Sequence, residues 1–341
     1  MKKSLLALAL LGAFAGVASA QSAVTIYGKV DLSLAKGNDG TSSLTGAPTG
    51  DKLQLMQQAG SRVGFRGTED LGGGLKANFQ IEHRFTPDDG VANAVHWNGM
   101  SWVGLSGSFG EIRLGRDYAP FFWPAIAADP WGFDTVAQVG IAHSAAGIVV
   151  YRYGNLLSYR TPDMGGLTAQ VGIGLAEKDD TEHNMGFNVQ YKGGPLYAGF
   201  GYHRGPASGS AHHLLSAAAL GALSADDPAT AWTLTGSYDL TVVKLIGSFS
   251  MSEVEATGAD LKARGVTLAA TAPLGGGDLR ASANRLEGTN GAIDDTKLTK
   301  FSLGYHYPLS KRTKLYADVG TAKQTDRDRR TAVDLGIQHN F

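Results

Sequence analysis

The chain has 341 residues, no cysteine, 47 glycines against 11 prolines, and a formal net charge of −1. Thiol catalysis and Cys-type zinc sites are thereby excluded, and the charge leaves no electrostatic footprint for nucleic acid. Mean hydropathy is −0.10, and past the N-terminus no run is apolar enough for a membrane helix; a β-barrel, whose strands average to neutral hydropathy, stays open.

In chain order, the first segment is unlike the rest. Lys2 and Lys3 precede an apolar stretch from Leu5 to Val17, and Ala18-Ser19-Ala20 offers a small-residue cleavage site. This is the pattern of a secretory signal peptide over 1–20. The expected mature chain, 21–341, begins at Gln21 and carries 28 basic against 31 acidic residues, a net charge of −3. A single domain is expected, because no linker or compositional break interrupts it.

Period-2 alternation then runs from end to end. Leu75, Ala77, Phe79 and Ile81 alternate with Lys76, Asn78, Gln80, Glu82 and Arg84. Phe301, Leu303, Tyr305 and Tyr307 alternate with Lys300, Ser302, Gly304 and His306. Leu315, Ala317 and Val319 do the same, and so do Val333, Leu335, Ile337, His339 and Phe341. Successive strand side chains point to opposite faces, so each segment has one apolar and one wet face.

The connections alternate in length. Short ones fall at 70–74, 106–110, 161–166, 193–195, 239–241, 273–277 and 308–312. Long ones centre on 37–51, 86–96, 117–148, 177–182, 204–230, 252–260, 287–296 and 322–330. Seven turns and eight loops predict sixteen strands in an all-β, antiparallel transmembrane barrel with an aqueous lumen. The Ala-, Ser- and Gly-rich stretch 206–229 reads as the most mobile loop. Tyr151, Tyr159, Tyr191, Tyr202, Tyr238, Tyr305, Tyr307 and Phe341 fit an interfacial aromatic girdle, although strand propensity alone also enriches aromatics.

SRVGFRGTEDLGGGLKANFQIEHRF (61–85) resembles the general porins of β-proteobacteria, as do QSAVTIYGKVDLSLA (21–35), GSFGEIRLGRDYAPF (107–121), NLLSYRTPDMGGL (155–167), LSKRTKLYADVG (309–320) and the ending GIQHNF (336–341). The resemblance implies a homotrimer in contact with outer-membrane lipid and lipopolysaccharide. It further implies that the long third loop folds into the lumen and that Phe341 is read by the barrel assembly machinery. Among constriction arginines of anion-selective relatives, it points to Arg62 on the second strand and Arg152 on the sixth. Where some relatives carry bases at the start of the fourth strand, this chain reads Asn98-Gly99-Met100.

Parity assigns the faces. With Val63 and Phe65 toward lipid, Arg62, Gly64 and Arg66 face inward, as do Glu82 and Arg84 on the next strand. With Tyr151, Tyr153 and Leu157 toward lipid, Arg152 and Arg160 face inward. A charge on the lipid face costs about 2–4 kcal/mol at the midplane, which gives these assignments force. Arginine rings favour anions and acidic rings favour cations. Arg66, Arg113 and Arg160, nearer the strand ends, fit a plain solvated wall equally well. The third loop, Asp117 to about Val149, carries Tyr118, Phe121, Phe122, Trp123, Trp131 and Phe133. Its Asp117, Asp129 and Asp134 are expected to face the arginines across the pore. Its aromatics read first as packing, and second as a filter for aromatic acids within a channel for small organic acids.

The expected function is passive diffusion of small hydrophilic solutes and ions, with an anion preference. No P-loop, complete GxGxxG or HExxH occurs, and Gly104-Leu105-Ser106-Gly107-Ser108 lacks the last glycine of a nucleophile elbow. No enzyme activity, cofactor or metal is expected; His212-His213 is the nearest approach to a metal motif. Small outward residues such as Ala281 and Ala283 suit packing against a neighbouring subunit.

Overall fold

The computed structural model describes residues 23–37, 51–140, 149–177, 182–207, 227–255, 260–289 and 296–341. The expected signal peptide over 1–20, His212-His213 and most of the 206–229 stretch lie outside them. The strands are β1 (Ala23–Gly37), β2 (Gln54–Met56), β3 (Arg62–Gly72), β4 (Leu75–Arg84), β5 (Ser101–Gly107), β6 (Gly110–Tyr118), β7 (Arg152–Arg160), β8 (Leu167–Gly174) and β9 (Asn184–Gly193). They continue as β10 (Leu196–Pro206), β11 (Pro228–Asp239), β12 (Lys244–Val254), β13 (Leu261–Leu274), β14 (Gly277–Thr289), β15 (Thr296–Pro308), β16 (Thr313–Gln324) and β17 (Arg330–Asn340). A short helix, α1 (Phe122–Ile126), lies in the described part of the third loop.

All neighbours are antiparallel and follow chain order from β3 to β17; the sheet closes where β17 returns to β1, from Lys29↔Asn340 to Gly37↔Ala332. β1 also pairs with β2 (Ser33↔Met56) and with β3 (Lys29↔Arg62). Thus β2 and β3 are two parts of one barrel strand, split by residues 57–61, and the barrel has sixteen strands. Closure leaves no open edge, as a strand structure in lipid requires.

The split is built from a side chain. The Asp31 carboxylate accepts N–H bonds from Gln58 (2.7 Å) and Ala59 (3.0 Å), and Ser61 Oγ accepts from Asp31 N at 3.1 Å. Tyr316 O–H donates to the same carboxylate from β16 at 3.0 Å. Backbone N–H groups that leave the ladder still need acceptors, and Asp31 supplies one for two of them.

Polarity is inverted relative to a water-soluble domain. Asp31, Thr233 and Lys300 on the inner face are 0 % exposed, whereas Ile26, Leu268 and Leu335 on the outer face are 60 %, 63 % and 60 % exposed. An apolar exterior around polar contents is the arrangement lipid selects. The turns match their sequence signal: Gly72, Gly73 and Gly74 all adopt positive φ between β3 and β4.

At the closing seam, Gly28 N donates to Phe341 O at 3.0 Å and Phe341 N to Gly28 O at 3.1 Å. The Phe341 ring occupies the space a side chain at position 28 would need. The terminal residue thereby locks the last strand onto the first.

The third loop lies inside the barrel along its wall. Phe121, Phe122, Ala125, Phe133 and Val149 pack with Ala231 as one apolar cluster. Helix α1 approaches β10 closely because Gly199 and Gly201 stand beneath it; a Cβ at 201 would sit 3.2 Å from Phe121 O and from Pro124 Cγ. The loop is then tied down in sequence. Asn188 donates to Pro120 O (2.7 Å), Thr235 to Pro124 O (2.8 Å), and Arg280 to Pro130 O (2.6 Å). Trp131 Nε1 donates to Asp318 (2.6 Å), Val136 N to Asp334 (2.9 Å), Lys300 Nζ to Val136 O (2.9 Å), and Thr135 N to Gln58 O (3.4 Å).

Candidate functional site

The inward loop leaves a gap against the wall of β1, β3, β4 and β7. It forms a cavity of about 480 Å³ lined by Lys29, Arg62, Arg84 and Arg152, by Asp88 and Asp134, and by Tyr118, Phe122, Ile126, Phe133 and Tyr151 among others. Three of the bases are direct cross-strand neighbours: Lys29 pairs with Arg62, and Arg62 with Arg84. Like charges placed opposite one another in a sheet are unfavourable, so this row is a feature stability alone would not select.

Glu82 is what makes the row tolerable. It is 1 % exposed and lies 2.8 Å from Arg84 and 3.6 Å from Arg62. Tyr27 O–H donates to it at 3.1 Å and in turn accepts from Gln80 at 2.6 Å. Glu82 therefore faces inward as expected, but as a covered counter-ion behind the arginines rather than as open pore wall. Gly60 gives Arg84 its seat, since a Cβ there would meet the guanidinium at 2.5 Å.

Arg152 reaches the cavity by a route parity does not give. Asn155 has φ of 48°, and between Leu156 and Tyr153 strand β7 spends three steps where β6, from Gly115 to Asp117, spends two. Parity counted back from Leu157 fails across this bulge. Tyr153, expected toward lipid, is 1 % exposed and points inward, where it pairs with His203 and donates to Met185 O at 3.1 Å. Tyr151, expected in the outer girdle, lines the cavity and packs on Phe122 and Phe133. The Arg152 guanidinium lies 4.3 Å from the Tyr118 ring centre and donates to the Tyr118 hydroxyl at 2.7 Å. Phe122 stacks on Tyr118, with ring centres 4.1 Å apart.

Of the three loop aspartates, only Asp134 lines the gap, and Lys29 holds it at 3.1 Å. Asp117 is 2 % exposed and does not line the gap, because Arg113, four residues back on the same face of β6, binds it at 2.7 Å. Asp129 does not line the gap either. Its carboxylate accepts N–H bonds from Trp131 (2.9 Å), Phe133 (3.0 Å), Val139 (2.9 Å) and Gly140 (3.3 Å) and ties the loop into a knot. That knot offsets the left-handed φ of 63° at Phe133 and 67° at Thr135. Arg66 is exposed and lies 5.3 Å from the Tyr27 ring centre, and Arg160 is exposed beside the 161–166 turn; neither reaches the cavity. Lys29 was missed by the sequence reading, although the outward faces of Val24 and Ile26 on the same strand put it inward by parity.

Burial raises the Asp129 carboxyl from 3.8 to about 6, against the opposing pull of its four N–H donors. The folded loop thus binds this proton more tightly than the unfolded chain does. The Asp129 contribution to stability is full below 3.8, falls as pH rises through about 6, and is constant above. Its ceiling is about 3 kcal/mol for a shift of roughly two units. Acidification across that window should raise the wild-type melting midpoint relative to Asp129→Asn. Parallel pH profiles for the two proteins would remove Asp129 from this role.

Comparison with known proteins places this geometry. The sequence profile described as Gram-negative porin matches residues 7–327. The chain belongs to the Gram-negative porin family. The porin is 36 % identical over 375 residues to outer membrane porin protein 32 of Delftia acidovorans, with all of both chains covered. It is 31 % identical over 396 residues to an outer membrane porin protein of Bordetella pertussis, again with full coverage of both. Among solved structures, an anion-selective porin from Comamonas acidovorans superposes with a TM-score of 0.78 at 32 % identity, covering 94 % of this chain and 100 % of that one. The porin is an outer-membrane β-barrel with channel function.

Proposed function

We propose that the porin is a passive-diffusion channel for small hydrophilic solutes that prefers anions. The observation that carries this is the composition of the gap. Lys29, Arg62, Arg84 and Arg152 line it against Asp88 and Asp134, and Asp134 is already engaged by Lys29. The net acidity of the whole chain acts from farther away, and charges beyond about 8–10 Å are screened at physiological salt. The anion selectivity named for the Comamonas acidovorans relative supports the same reading. A reversal potential measured across one channel in a potassium chloride gradient should have the sign of chloride preference; potassium preference would end this reading.

Three further assignments belong with it. The porin works as a homotrimer, matures by cleavage before Gln21, and is inserted by recognition of Phe341 and in contact with lipopolysaccharide. Unboiled protein should migrate on a denaturing gel as a large heat-modifiable species whose boiled subunit begins at Gln21. A monomer in mild detergent, or an intact Met1, would contradict the respective assignment. Deleting Phe341 should deplete the porin from outer membranes in cells more than it slows refolding in detergent. Equal loss in both settings would mean the residue acts only at the Gly28 seam.

A further inference from the structure

The cavity has two unlike walls. One is basic: Arg62, Arg84, Arg152 and Lys29. The other is aromatic: Phe122, Phe133 and Tyr151, whose ring centres lie 5.7–5.9 Å from one another in edge-on and tilted contact. Gly132 joins that wall, and a Cβ there would meet nothing within 4 Å, so the space beside Phe133 stays open. A volume of about 480 Å³ lies within the roughly 300–1,000 Å³ usual for small-molecule sites.

The bases differ in how far they are spent. Arg84 is held by Glu82 through both Nε (3.0 Å) and a terminal nitrogen (2.8 Å). Arg62 touches Glu82 only through Nε, at 3.6 Å, which leaves its terminal fork to the lumen. Arg152 donates one terminal nitrogen to Tyr118 and has a buried Nε with no partner. The terminal fork of Arg62 suits a carboxylate, because the guanidinium matches its two oxygens, and the second terminal nitrogen of Arg152 adds a further donor. An acid with an aromatic ring would lay that ring on the Phe133 and Tyr151 side, where ring edges and faces attract. Neither wall alone calls for an aromatic acid. A sugar or a neutral aromatic would leave the arginine forks unused, and a small inorganic anion would leave the rings unused.

We infer that the constriction is a transit site for small aryl carboxylates, with the carboxylate on Arg62 and Arg152 and the ring against Phe133 and Tyr151. The assignment rests on the anion-preferring reading and names its substrate class. The site is weak by design, since conduction requires that a bound ion can leave. Asp88 and Asp134 also line the cavity and disfavour ligands with a second negative charge placed near them.

The test uses the full-length channel in a planar bilayer. Current block by benzoate is compared with block by cyclohexanecarboxylate, which has the same charge and similar size but no π-system. Benzoate should bind about 3- to 10-fold more tightly, the range expected for aromatic contact. Phe133→Leu with Tyr151→Leu should erase that ratio, and Arg62→Ser should weaken both acids. Equal block by the two acids in wild type overturns the assignment, as does a ratio that survives the double leucine variant. The reversal potential in plain potassium chloride separates the two readings: a chloride-preferring channel that treats the acids alike loses the aromatic site and keeps its anion preference.

Discussion

Replacing Arg62 and Arg152 together with Ser should shift the reversal potential toward potassium and lower the chloride-to-potassium permeability ratio about 5- to 10-fold. A unit charge about 4 Å from a passing ion is worth about 1 kcal/mol in water, so two are worth about 2 kcal/mol before screening. Mobile salt and the surviving Lys29 and Arg84 reduce that figure. The loss of Arg62 acts in the opposite direction, because Glu82 then keeps only Arg84 as counter-ion and presents more of its charge to the gap. Barrel stability should change little, since lumen positions tune selectivity while the outer face carries the lipid contact. Circular dichroism and heat-modifiable gel mobility should stay those of wild type. An unchanged reversal potential in a folded double variant would show that these arginines do not set the filter.

Replacing Asp318 and Asp334 together with Ala should loosen the middle of the third loop, by about 1.5–3 kcal/mol for each charge-assisted bond lost, and raise single-channel conductance. Trp131 loses its acceptor on β16 and Val136 loses its acceptor on β17. The ties at Pro120 and Pro124 hold the start of the loop, and those from Arg280 to Pro130, Lys300 to Val136 and Thr135 to Gln58 remain at its middle, so the loop loosens without detaching. Anion preference should weaken at the same time, because a wider gap lets ions pass farther from the basic row, where its field is screened. The wall should tolerate the change. Asp318 and Asp334 are direct cross-strand partners, so removing both also removes a repulsion between like charges. Conductance and selectivity equal to wild type would mean that the apolar cluster around Phe122 and Phe133 holds the loop without these anchors.

What was legible in the sequence is what depends on neighbours along the chain. Alternation of apolar and polar residues gave the faces of β3, β4 and β15–β17, and glycine-rich turns against long loops gave the strand count. These signals survive without knowledge of the fold, because pleat period and turn chemistry are local. For the site, parity was enough to point Arg62 and Arg84 inward, and the family resemblance singled out Arg152.

Tertiary structure decided the rest. The bulge at Asn155 breaks parity on β7, so Tyr151 and Tyr153 turn inward against expectation. Register, not composition, sets Lys29, Arg62 and Arg84 side by side. The fates of Asp117 and Asp129 also lay beyond reach, since a carboxylate reads the same in sequence whether it meets solvent, an arginine or four N–H groups. The course of the third loop depends on partners 187 and 198 residues away, at Asp318 and Asp334. Contacts at such separation leave no local periodicity behind. The chain alone therefore determined that this is a barrel with a basic inner wall, and only its closure determined which charges share the gap.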